Sequence, residues 1–191
     1  MKNLFAFLPI VFAVACSNSQ TKVSGTSQTS LPALRAFTLT SPAFKQGENI
    51  PSVYTCDSIN ISPELHWNKP SDKIKSYVLI MDDPDAPMGT WVHWVMFNIP
   101  AKDSMLSTHQ VTDSNMTSGI KQGITSFQST GYGGPCPPNG SHRYFFKLFA
   151  IDTTFNSPCR TTGEKKLIAL MKGHIISEGE LMGRYERIKK N

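Results

Sequence analysis

Long stretches of Ala, Leu, Glu and Lys, the material of helical bundles, are absent from this sequence, which argues against a bundle. Charge is sparse: 17% of the residues are charged and the formal net charge is +5. The basic side chains are scattered until Arg184, Arg187, Lys189 and Lys190 near the end, so no stripe for nucleic acid forms, and these cations read as a solvated tail. No apolar run reaches the ~20 residues needed to cross a bilayer. No internal repeat is visible. Neither a Gly-x-Ser-x-Gly nucleophile elbow nor a His-Glu-x-x-His helix occurs, which removes the commonest hydrolase signatures. Ser141 directly precedes His142, and neighbours on a strand point to opposite faces, so that pair cannot serve as nucleophile and base.

What is present favours short strands and turns. Thirteen Gly, 13 Pro and 11 Phe accompany an apolar content of 39%, enough for one core in a chain of 191 residues. An antiparallel β architecture is therefore expected. At the start, Lys2 precedes an apolar run from Leu4 to Ala15, followed by Cys16. Residues 1–15 read as a signal peptide, Cys16 as a lipidation site, residues 16–33 as a polar tether, and 34–188 as the folded domain. Ordinary signal cleavage after Ala13-Val14-Ala15 is the alternative. Either way the expected location is the bacterial cell envelope, lipid-anchored to the membrane or periplasmic. With Cys16 lipidated, Cys56, Cys136 and Cys159 remain in an oxidising compartment. At most one disulfide can form among them, all three pairings are open, and three buried thiols are equally compatible.

Along the chain, Phe37 to Pro42 reads as a strand and the Gln46 to Asn49 cluster as a turn. The Ser-, Asn- and Pro-rich stretch from Tyr54 is expected to be an ordered loop leading to a strand at Leu65 to Trp67. Ile74 to Met81 carries apolar residues at both phases, the pattern of a strand buried on two sides. It runs into Asp82-Asp83-Pro84-Asp85-Ala86-Pro87, where prolines end regular pairing and leave carboxylates at the strand's exit. Trp91 to Ile99 is the next strand, with Trp91, His93, Val95, Phe97 and Ile99 expected on one side. Residues 101–130 are polar with little periodicity. A Gly/Pro loop from Gly131 to Gly140 then feeds a strand, His142 to Ile151, with His142, Tyr144, Phe146 and Leu148 sharing a face. Gly163 to Leu181 has helical spacing through Leu167, Leu170, Met171, His174 and Ile175 and is expected to close the fold as a helix.

Three of these segments carry chemistry: Asp83-Pro84-Asp85-Ala86-Pro87, the entering pair His93-Trp94, and His142-Arg143-Tyr144 behind the Gly/Pro loop. Together they resemble the signature of the phosphatidylethanolamine-binding proteins. Tyr54-Thr55-Cys56-Asp57, Ser62-Pro63-Glu64-Leu65, Asn98-Ile99-Pro100-Ala101 and Gly134-Pro135-Cys136-Pro137-Pro138 extend the resemblance to the bacterial, Raf kinase inhibitor-like branch, over Phe37 to Arg187. The resemblance implies a mainly β fold, a large antiparallel sheet packed on a smaller one, here with a C-terminal helix. It further implies a pocket for a small phosphate-like or acetate-like anion formed by Asp83, Asp85, His93, His142 and Tyr144, with a backbone amide from Gly134 and apolar wall from Pro87 or Trp91.

The chemistry of those side chains is compatible with that pocket. Imidazoles, a Tyr hydroxyl and loop amides can hold an anion, whereas a carboxylate aimed at it would repel it unless it orients a histidine, the role assigned to Asp83. Arg143 is expected to pair with an Asp, and His66, His109 and His174 to be structural or exposed. The chain thus reads as a binding protein for phosphate or a phospholipid head group, not an enzyme, needing no cofactor, monomeric or homodimeric, with a protein partner as a further possibility. Two rivals remain: an inhibitor of a protease or kinase acting through the pocket loops, and a metal-dependent hydrolase using the Asp and His side chains as ligands.

Overall fold

The computed structural model describes residues 36–112 and 119–187. The chain divides into Met1–Pro32 and Ala33–Asn191, and the expected signal peptide, lipidation site Cys16 and tether lie outside the described residues.

Two antiparallel sheets make up the domain. The small sheet joins β1 (Leu39–Thr40), β2 (Leu65–Trp67) and β5 (Met105–Leu106) in the order β1-β2-β5. The large sheet contains β3 (Ser76–Asp83), β4 (Trp91–Pro100), β6 (Lys121–Gln122), β7 (Ser141–Ile151) and β8 (Ile175–Glu186), in the order β6-β4-β3-β7-β8. The first strand is thus shorter than the Phe37–Pro42 span expected from its composition. All eight residues of β3 are buried, as its two-phase apolar pattern requires. One of its faces, with Tyr77, Leu79 and Met81, packs with Leu65, Trp67 and Leu106 of the small sheet into the main core. The other, with Val78 and Ile80, is covered by Leu167 and Met171 of the helix α1 (Glu164–Met171). Each such side chain removed from water contributes about 1.5–3 kcal/mol.

Two departures from the expected pattern position the site. The pairing of β3 with β4 shifts register between Met81, opposite Trp94, and Asp82, opposite Val92, which leaves His93 as an extra residue. A second shift lies between Tyr77 and Leu79, where Asn98 is the extra residue, at φ 58°. Asn tolerates this left-handed backbone, and its side chain exchanges two hydrogen bonds with the Phe155 backbone. The expected alternation of β4 is therefore broken twice: Val95 and Phe97 join the helix-side core, while Trp94 and Met96 face the main core. Such extra residues re-aim side chains near sites.

The closing helix is also corrected. It ends at Met171, and Gly173 at φ 83° turns the chain into β8, which pairs along nearly the whole of β7. Residues 175–181, read as helix, and Arg184, read as tail, are strand.

Candidate functional site

Because β3 runs antiparallel to both neighbours, its exit lies beside the entries of β4 and β7. Asp83, His142 and Tyr144 come together there by strand phase, and the register shift in β4 adds His93. They line a pocket of about 470 Å³ with Ala86, Pro87, Met88, Trp91, Phe127, Cys136 and Pro138. The floor is polar and buried; the rim is apolar, with Met88 94% exposed.

Each floor group has a distinct setting. The Nδ1–H of His142 donates to Asp83 Oδ2 at 2.8 Å, and the Asp85 amide donates to Asp83 Oδ1 at 2.8 Å. Both carboxylate oxygens are thereby occupied, and Asp83 orients an imidazole as expected, that of His142. His93 is bonded through Nδ1 to the Gly133 carbonyl at 2.6 Å, while the Gly133 amide donates back to the His93 carbonyl at 3.0 Å. A carbonyl can only accept, so this contact assigns the proton to Nδ1 and the lone pair of the neutral ring to Nε2. Burial holds the His93 pKa below the ordinary histidine value, outweighing the upward pull of the Gly133 carbonyl and the Asp83 charge. Tyr144 is fully buried, and its phenol is pushed up by burial first and by the Asp83 carboxylate second. The Asp83 carboxylate and the Cys136 backbone lie close to the hydroxyl and pull it in opposite directions, Asp83 raising its pKa and Cys136 lowering it, yet the hydroxyl completes no hydrogen bond of ordinary geometry with either. A buried hydroxyl without a partner is uncommon and costs about 1–3 kcal/mol.

The walls are aromatic. Phe127 stands edge-on to Trp91, with ring centroids 5.4 Å apart, and to His93 at 5.3 Å; His93 meets Tyr144 edge-on at 5.2 Å. Ser126 fixes Phe127 there by pairing its amide with the Val92 carbonyl and its hydroxyl with the Val92 amide.

Of the residues expected at the site, Asp83, Pro87, His93, His142 and Tyr144 line the pocket, and Trp91 supplies wall. Two do not. Asp85 accepts from the Arg143 backbone amide and from its guanidinium at 2.8 and 2.6 Å, which holds its carboxyl down to about 2. It ties the Asp-rich loop to β7 and is not in the lining. Gly134 donates its amide to Asn60 Oδ1 at 2.8 Å, so that amide does not face the pocket. Among the described residues, Asp83, Asp85, His93 and His142 included, no three His, Cys, Asp or Glu side chains form a metal-binding group. His66 and His174 pair with Glu64 and Asp152 at the surface. The open disulfide question is settled as Cys56–Cys136, with Cα atoms 5.4 Å apart, while Cys159 is buried on the helix side. Sequence reasoning missed Phe127, Met88 and Cys136 in the lining. Phe127 stands out within its polar loop, an apolar side chain without a phase partner, which is the one signal that could have flagged it.

The buried Asp–His pair, the second His and the Tyr thus open at one end of the large sheet of a two-sheet β fold. Residues 40–186 match the family model for the phosphatidylethanolamine-binding protein. The chain is 46% identical over 149 residues to a UPF0098 protein of Aquifex aeolicus, covering 77% of this chain and 86% of that one. It is 37% identical over 158 residues to a UPF0098 protein of Chlamydia trachomatis, covering 78% and 98%. Among solved structures, the putative phosphatidylethanolamine-binding protein homolog CT736 of C. trachomatis superposes with a TM-score of 0.74 at 36% identity, over 80% of this chain and 99% of that one. YbcL of E. coli, described as a new member of the mammalian family, gives 0.73 at 30% identity, over 81% and 100%. The chain belongs to the phosphatidylethanolamine-binding protein family.

Proposed function

We propose that this protein is a binding module whose pocket takes a small phosphate-type anion, free or as the head group of a phospholipid. The observation that carries this reading is the Tyr144 hydroxyl: buried, without a hydrogen bond, and beside two imidazoles in the floor of an open pocket. With both oxygens of Asp83 already accepting, the unmatched polar capacity of the floor belongs to Tyr144 and to the ring edges of His93 and His142. The apolar rim of Pro87, Met88, Trp91 and Phe127 suits the carbon part of a head group.

The chemistry of His93 makes binding proton-linked. Its neutral ring presents a lone pair, which an anion cannot share unless a proton lies between them. A phosphate monoester, with a second pKa near 6, can bring that proton; a diester must bind together with protonation of Nε2. In both cases affinity falls as pH rises through about 7. Lipidation at Cys16, placing the pocket at the cell-envelope membrane, is part of the same proposal, and intact-mass measurement of the N-terminal peptide tests it by the presence of attached acyl chains.

The binding reading is tested by thermal-shift titration with phosphate, phosphoethanolamine and acetate. A ligand held only by the folded form stabilises it by mass action, about 2.7 kcal/mol at a hundredfold excess over Kd. A saturable rise in Tm that His93→Ala abolishes supports the pocket; no rise with any of the three removes the reading.

A further inference from the structure

The Nδ1–H tautomer of His93 depends on where the Gly133 carbonyl is held; from β4 the His93 carbonyl anchors only the Gly133 amide, and the carbonyl itself belongs to the next peptide, Gly133–Gly134. Gly133 lies in a loop whose other contacts reach back to residues 53–60. The Tyr132 hydroxyl donates to the Tyr54 carbonyl at 2.7 Å, the Cys56 amide donates to the Pro135 carbonyl at 3.1 Å, and Cys56 is bonded to Cys136. Between these anchors, next to Gly133 itself, the Gly134 amide donates to Asn60 Oδ1. The approach is close enough to exclude a side chain at position 134: an added Cβ would lie 2.4 Å from Asn60 Oδ1 and 2.4 Å from the Tyr54 carbonyl oxygen. Asn60 reaches this amide from a left-handed backbone at φ 62°, a conformation that Asn and Asp adopt more readily than other side chains, with its own amide donating to the Val53 carbonyl at 3.0 Å.

The structure assigns Asn60 as a positioning residue for the pocket: its side-chain oxygen fixes the Gly133–Gly134 peptide and thereby sets which nitrogen of His93 faces the ligand with a lone pair. Asn60 lies outside the pocket lining. The inference rests on the anion-pocket reading for its consequence in binding, yet its structural content can be read without any ligand.

The experiment records long-range nitrogen–proton correlations of the His93 imidazole in the wild-type protein, Asn60→Gly and Asn60→Asp, at pH above the ring's titration. Glycine accepts the left-handed backbone while removing the oxygen; aspartate keeps both oxygen and backbone. The wild type is expected as the Nδ1–H form alone, Asn60→Gly as a mixture with the Nε2–H form, and Asn60→Asp as the Nδ1–H form restored. A folded Asn60→Gly with the wild-type tautomer overturns the assignment. Should Asn60→Gly fail to fold, Asn60→Ser, whose hydroxyl is one bond shorter and falls short of the amide, is read in the same way. A tautomer change with no phosphoethanolamine binding in any form, wild type included, upholds the positioning role and refutes the binding reading instead.

Discussion

His93 couples the site to pH in the unliganded protein as well. Its ring resists protonation in the folded state, because burial outweighs the carbonyl and carboxylate near it, whereas the unfolded chain takes the proton near 6.5. Below that value the unfolded state binds more protons, so folding stability falls as pH drops from about 6.5 toward the lower folded value; above 6.5 the contribution is constant. Urea unfolding at pH 7.5 and 5.5 should give a lower midpoint at 5.5, with a smaller difference in His93→Gln. An equal difference in the variant would assign the effect to other groups. Tyr144 offers a test in which two readouts move oppositely. Tyr144→Phe removes a buried hydroxyl that has no partner, so the protein should gain about 1 kcal/mol in stability, while affinity for phosphoethanolamine drops about tenfold, near 1.4 kcal/mol. Loss of both would mean that the hydroxyl already has a partner in the free protein. The period of two puts His142 and Tyr144 on one face, and the family resemblance adds Asp83 and His93; in the structure His93 reaches that group as the extra residue of a register shift, not by the alternation of β4. Asp85 and Gly134 turn away from the lining toward Arg143 and Asn60, 58 and 74 residues away in sequence; an Asp partner for Arg143 was expected, but which Asp, and the Asn60 contact, only the fold decides.

The strands themselves read well where the apolar pattern was continuous, as in β3 and β7, and poorly where backbone irregularity reset it. Nothing in Trp91 to Ile99 announces that His93 and Asn98 are extra residues, although an Asn able to adopt positive φ is the kind of residue such a position needs. The end of the chain was misread for a different reason. Ile175 to Glu186 carries Ser177, Gly179, Leu181, Gly183 and Tyr185 at alternate positions, a period of two hidden by the smallness of its inward side chains. That smallness is packing: a Cβ at Gly183 would lie 2.5 Å from Ile50 Cγ1 and 2.8 Å from Phe44 Cε2. Gly183→Ala should therefore cost about 1–3 kcal/mol by overpacking, read from the denaturation midpoint; an unchanged midpoint would mean that Ile50 and Phe44 yield freely. The Cys56–Cys136 bridge spans 80 residues and clamps the Gly/Pro loop, which a sequence with three candidate thiols could not disclose. Replacing both cysteines by serine is expected to lower stability by about 2–5 kcal/mol, measured by chemical denaturation against the oxidised wild type.

For the domain taken together, two sheets with apolar cores on both faces of the larger one leave one end of β3, β4 and β7 free to form a pocket. Short strands, abundant Gly and Pro and few charges anticipated that architecture; the family match at 40–186 and the two solved relatives agree with it. The rigid sheet holds the polar floor, while the loops carrying Met88, Phe127 and Cys136 supply the walls, so ligand identity depends on the part of the chain least readable from pattern. The most direct test of the account is isothermal titration calorimetry of the wild-type protein and His93→Ala with phosphoethanolamine, and with glycerophosphoethanolamine as the diester, at pH 7.5 in two buffers of different ionisation enthalpy. Saturable binding accompanied by proton uptake, and lost in His93→Ala, is the predicted result. Binding that takes up no proton and survives the substitution would contradict it.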